Sequence, residues 1–67
     1  MGNNNMGKTI ELMDLHNKYT TIYIDKIIFV KEEDKGTSIH FIGGSQLNVV
    51  SLKDAVLKEI NDALQPS

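Results

Sequence analysis

A chain of 67 residues with no cysteine, seven lysines, no arginine and nine acidic residues carries a formal net charge of −2. This length allows one domain that buries only about 60% of its unfolded surface, and the missing thiols remove disulfides and thiolate metal sites as supports. The charge balance, together with the lack of arginine as a bidentate reader of guanine and phosphate, argues against a nucleic-acid partner.

Residues 1–7 (MGNNNMG) have no apolar periodicity and read as a disordered leader to a single domain over residues 8–65. This polar, Asn-rich start does not resemble a secretory signal, and no apolar run approaches the ~18 residues of a membrane span. A cytoplasmic protein with no membrane association is expected. Gly2, Gly7, Lys8 and Thr9 formally match the phosphate-binding pattern G-x-x-x-x-G-K-[ST]. Such a loop needs a strand before it and a helix after it to aim its N–H groups at phosphate. Only Met1 precedes the match and a strand pattern follows, so the match is taken as chance, and Lys8→Ala is expected to leave folding unchanged.

Ile10 and Leu12 alternate with Thr9, Glu11 and Met13, which predicts a half-buried first strand. Leu15-His16-Asn17-Lys18 turns the chain. Residues 19–24 (YTTIYI) are all aromatic or β-branched and predict a strand with Tyr19, Thr21 and Tyr23 on one face and Thr20, Ile22 and Ile24 on the other. Asp25-Lys26 is a short connection to residues 27–31 (IIFVK), a strand apolar on both faces. Glu32, Glu33 and Asp34 read as a solvated, charged tip, since a calcium loop spaces its oxygen ligands at alternate positions. Gly36 supplies the positive φ that this turn needs. Residues 37–42 form the next strand, opposing Thr37, Ile39 and Phe41 to Ser38, His40 and Ile42. Gly43-Gly44 turns the chain back into residues 45–50, with Leu47 and Val49 on one face. Ser51 and Asp54 resemble a capping box. They would open a helix over residues 51–64, with an apolar stripe of Leu52, Val56, Leu57, Ile60, Ala63 and Leu64. No helix is expected between residues 19 and 50.

The fold class that follows is α+β and β-rich: a small antiparallel meander of four to five strands, or a partial barrel, with one C-terminal helix. Ile27, Ile28, Phe29 and Val30 place apolar groups on both faces of a sheet that one helix can cover on one side only. A homo-oligomer is therefore expected, with Ile27, Phe29 and Phe41 at its interface.

The run Leu15-His16-Asn17-Lys18, Ile22-Tyr23-Ile24-Asp25-Lys26-Ile27, Thr37-Ser38-Ile39, Gly43-Gly44 and Val49-Val50-Ser51-Leu52-Lys53, followed by a helix, resembles the small FlbD-type proteins over about residues 10–64. That resemblance implies a compact β-sheet with a terminal helix, an association with bacterial motility operons and no enzymatic activity. The Asp25-Lys26-Ile27 corner and the Ser51-Leu52 helix start are also similar to LytTR-type DNA-binding domains, whose basic DNA-contacting residues are missing here. Five strands and a C-terminal helix are shared with the RNA-binding CsrA family, whose arginines are missing too. No functional residue carries over from any of these families.

No catalytic role is expected, because His16 lies in a turn and His40 in a strand without a suitably spaced acid. A metal cluster of Asp14, His16 and His40 would need the first and fourth strands to meet, and neither a metal nor a cofactor is expected. The leading expectation is a non-enzymatic, homo-oligomeric interaction or regulatory module that docks a protein partner. The alternative is a bacterial or phage binding protein that sequesters an anionic, nucleotide-like ligand at subunit seams; a nucleic-acid-binding regulator comes third. The ligand site would use the Gly43-Gly44-Ser45 turn amides, an aromatic face from Tyr19 or Tyr23, and His40 as a polar contact. It is placed between chains because so small a domain has little room for a pocket of ~300 Å³.

Overall fold

The computed structural model describes residues 7–66. Strands β1 (Thr9–Met13) and β2 (Tyr19–Tyr23) form one antiparallel sheet, with Ile10 opposite Ile22 and Leu12 opposite Thr20. A second antiparallel sheet holds β3 (Ile27–Glu32), β4 (Thr37–Phe41) and β5 (Gln46–Val49) in sequential order. The helix α1 (Lys53–Leu64) follows, making a small α+β fold of two antiparallel sheets and a C-terminal helix. Except for Gly7, the leader expected over residues 1–7 lies outside the described residues. Among the described residues no helix is long and apolar enough to cross a membrane.

The single meander sheet expected from the sequence is replaced by two sheets because the chain leaves β2 through one 3-10 turn, Ile24–Lys26, where no helix was expected. That turn carries β3 away from β2, so the two strands do not pair. The sheets meet instead on the other side of β1. There Asp14 bridges Val49 in antiparallel fashion and the Val50 N–H donates to the Met13 carbonyl at 3.0 Å.

Both sheets turn apolar residues toward one core of Ile10, Leu12, Ile22, Ile24, Ile39, Val49 and Val56. The alternation expected in β1 and β2 holds: Ile10, Leu12 and Ile22 are buried, while Thr9, Glu11, Tyr19, Thr21 and Tyr23 are exposed. In β3 a bulge between Ile27 and Phe29 shifts the register, leaving Ile28 and Phe29 exposed while Ile27 and Val30 pack on the core. Alternation fails at the start of β4, where Thr37, Ser38 and Ile39 are all buried. Their polar groups are satisfied locally: Thr37 Oγ1 donates to the Ser51 carbonyl and Ser38 Oγ to Glu33 Oε2, both at 2.8 Å. Burial of a polar side chain is tolerated when its hydrogen bonds are made.

The first hairpin is built around Asp14. Its carboxylate accepts the N–H groups of His16 at 2.8 Å and Lys18 at 3.0 Å, and Asn17 takes a positive φ of 64°, a conformation asparagine tolerates. The Lys18 N–H above all, then that of His16, holds the Asp14 carboxyl below its ordinary value against the opposing effect of desolvation. A carboxyl whose folded value is lowered contributes stability that is complete above the unfolded value of 3.8 and is lost as pH falls through the folded value. In Asp14→Asn, urea unfolding followed from about pH 5 to about pH 2 should therefore show a shallower acid loss of stability below that value. An unchanged acid slope would contradict this role.

Two expectations at the ends of the domain are corrected. The helix begins at Lys53 with Leu52 in the N-cap position and no side-chain cap, so the Ser51–Asp54 capping box does not form. Ser51 is held against β4 instead, through its carbonyl and Thr37. The expected stripe narrows accordingly: Val56 is buried and Ile60, Ala63 and Leu64 pack on the core, whereas Leu52 and Leu57 are exposed. Lys8 was expected to be without consequence for folding, yet its Nζ donates to the Ala63 carbonyl in the last turn of α1 at 3.2 Å. A cation at that end of a helix contributes about 0.3–1 kcal/mol. Thr9, the last residue of the formal phosphate-loop match, opens a strand and not a helix.

Candidate functional site

Among the described residues a groove of about 590 Å³ lies at the open edge of β2. One wall is β2 itself, from Thr20 to Tyr23, and the other is the end of the β4–β5 hairpin, with Phe41, Ile42, Ser45 and Leu47. Lys26 is the one charged residue lining it, and it stands 4.0 Å from the Asp25 carboxylate. Lys26 is exposed and Asp25 half-buried, and at this separation the pair leaves the ammonium available to a ligand. A volume of this size inside one chain removes the reason for placing a site between chains.

The β2 wall carries more than side chains. The Ile24 N–H donates to the Lys8 carbonyl at 3.0 Å, and the Asp14 N–H to the Lys18 carbonyl at 2.8 Å. Hydrogen-bonded pairs alternate along an antiparallel ladder, so between these two lie the bonded pairs Ile10–Ile22 and Leu12–Thr20. The backbone N–H and C=O groups of Tyr19, Thr21 and Tyr23 consequently point away from β1, toward the open side. The groove thus lies along a strand edge whose hydrogen-bonding groups are directed outward.

The residues expected to bind a ligand are only partly brought together. Tyr23 and Ser45 line the groove. Gly43 and Gly44 form the adjoining turn, both at φ 95°, but the Gly44 N–H is already donated to the Phe41 carbonyl at 3.1 Å. Tyr19 sits at the far end of β2, 70% exposed, and is not among the lining residues. His40 points to the other face of its sheet, stacked on Phe29 with ring centroids 4.2 Å apart and its Nε2 3.1 Å from Ser38 Oγ.

The three residues expected at an oligomer interface also separate. Ile27 and Phe41 are cross-strand partners that pack on the core, while Phe29 is half exposed on the face it shares with His40. Sequence reasoning did not select Lys26, Ile42, Leu47 or the β2 backbone edge. The absence of any charge from Tyr19 to Tyr23 was the available signal for that edge.

Among the described residues no group of three or more His, Cys, Asp or Glu is placed to hold a metal ion, so Asp14, His16 and His40 are not gathered into a cluster. The chain matches no protein-family model, no curated protein and no solved structure.

Proposed function

We propose that the chain is a non-enzymatic interaction module that self-associates and docks a protein partner on the sheet surface its helix leaves uncovered. The observation that carries this reading is the set of large apolar side chains exposed along β2, β3 and the end of β4. Tyr19, Tyr23, Ile28 and Ile42 are each more than half exposed, and Tyr23 and Ile42 meet in the groove. Surface of this kind marks an interaction site more often than a solvated face. The resemblance to FlbD-type proteins supports the same non-enzymatic reading. Light scattering over about 1–100 µM, a span that covers ordinary protein affinities, should give a mass above that of the monomer. The monomer mass throughout would overturn self-association.

Lys26 beside Ser45 and Tyr23 favours a second reading, in which the groove holds a small anionic ligand. Calorimetric titration with mono-, di- and cyclic nucleotides, repeated with Lys26→Ala, tests it. Heat that is unaffected by Lys26→Ala would rule this location out.

A further inference from the structure

We infer that β2 pairs with β2 of a second copy about a two-fold axis through Thr21, fusing two β1–β2 sheets into one. This rests on the self-association proposed above and says where it occurs.

Among the described residues β1 and β5 meet at the Asp14–Val49 bridge, while β2 and β3 have no strand contact on their outer side, and of these two only β3 is protected. The β3 edge carries a bulge and the charged pair Lys31-Glu32, devices that keep strands from joining. Between Tyr19 and Tyr23 there is no charge, no proline and no bulge, in a chain that is 24% charged. An undefended edge whose N–H and C=O groups point outward is a template for another strand.

The sequence of that edge is complementary to itself. In antiparallel register about Thr21, Tyr19 lies opposite the partner's Tyr23, Thr21 opposite the partner's Thr21, and Tyr23 opposite the partner's Tyr19. These are the residues whose backbone groups point outward, so each opposed pair can exchange both of its hydrogen bonds. On the exposed face the register sets tyrosine beside tyrosine and threonine beside threonine, which are favourable cross-strand pairs. On the other face Ile22 stays within the core of its own chain, and the half-buried Thr20 is the residue each copy brings beside the groove.

Charge agrees with the same register. The strand itself offers no like charges to oppose, and because the contact is isologous the pairing of Tyr19 with the partner's Tyr23 occurs twice about the axis. A stable interface buries about 800 Å² per partner, roughly a sixth of the 4835 Å² surface of this chain. One strand edge alone falls short of that area, so the pairing is expected to be weak and concentration-dependent.

Two variants at the axis test this. Thr21→Pro removes an outward N–H but no backbone bond to β1, and only the exposed hydrogen bond from Thr21 Oγ1 to Glu11 Oε2 is lost with it; Pro is accepted where the missing N–H faces outward on an edge strand. Light scattering should then show the dimer dissociating already at concentrations at least about tenfold higher than for the unmodified chain, that is, a dissociation constant raised by at least that factor. The circular dichroism spectrum should be unchanged. Thr21→Cys places a lone thiol in a chain that has none, opposite its own copy at a Cα separation of ~5.5 Å, within disulfide range. Mild oxidation should yield a covalent dimer. Tyr19→Cys alone should not cross-link under the same conditions, whereas a mixture of Tyr19→Cys and Tyr23→Cys should. An oligomer that survives Thr21→Pro, with no preference for cross-linking at position 21, overturns the β2 pairing while leaving self-association standing. A monomer at every concentration overturns both.

Discussion

Replacing Gly36 with alanine is expected to leave the protein largely unfolded at room temperature. Gly36 has a φ of 86° and is buried, and a Cβ there would overlap the Val49 carbonyl. The left-handed backbone alone costs a non-glycine residue about 1–2 kcal/mol. The overlap adds about 1–3 kcal/mol of overpacking, because the obstacle is main chain and cannot rotate aside. Val49 also pairs with Thr37 and bridges Asp14, so a shift of β5 breaks the contact between the two sheets. Set against the ~3–5 kcal/mol that a core of this size supplies, the sum removes most of the stability. Circular dichroism in increasing urea reads the outcome. A wild-type midpoint for Gly36→Ala would show that β5 does not approach this turn as described.

The second large effect is expected at Ile39. It has no exposure and sits in the middle strand between Val30 and Leu47. Truncation to alanine loses the transfer energy of the removed methyl groups and leaves a cavity bounded by both neighbouring strands, a cost of about 2–5 kcal/mol. Ile28 is the matched control, since it lies in the adjacent strand but is 59% exposed. Ile28→Ala in the monomer should stay within about 0.5 kcal/mol of wild type. Urea midpoints measured at low protein concentration separate the two cases. A larger loss for Ile28→Ala than for Ile39→Ala would contradict the packing of the second sheet.

The strands were legible in the sequence because their signals are local. Thr20, Ile22 and Ile24 alternate with Tyr19, Thr21 and Tyr23, and Asn17, Gly36 and Gly43-Gly44 punctuate the chain where it adopts positive φ. The division into two sheets was not legible, since it depends on Ile24-Asp25-Lys26 coiling into a single turn without glycine or proline to announce it. The helix start was misplaced for a tertiary reason: Thr37, on a strand fourteen residues upstream, takes the Ser51 carbonyl. His40 is different: strand parity set it on the face opposite Phe41, and with Phe41 lining the groove it stands apart from Tyr23 and Ser45. Lys26 and Ile42 gained their place beside Tyr23 only when separate hairpins were brought together, which no local pattern encodes.

The join between the sheets has a kinetic consequence. Every ladder pairs a strand with its immediate neighbour in sequence, so each hairpin can close over a short loop at small entropic cost. The bridge of Asp14 to Val49 and the Val50 N–H bond to the Met13 carbonyl link the ends of the strand region, and α1 packs on a core to which both halves contribute. Closure of the hairpins over short loops is therefore expected to come early, and the docking of the two halves, which carries the long-range contacts, to come late.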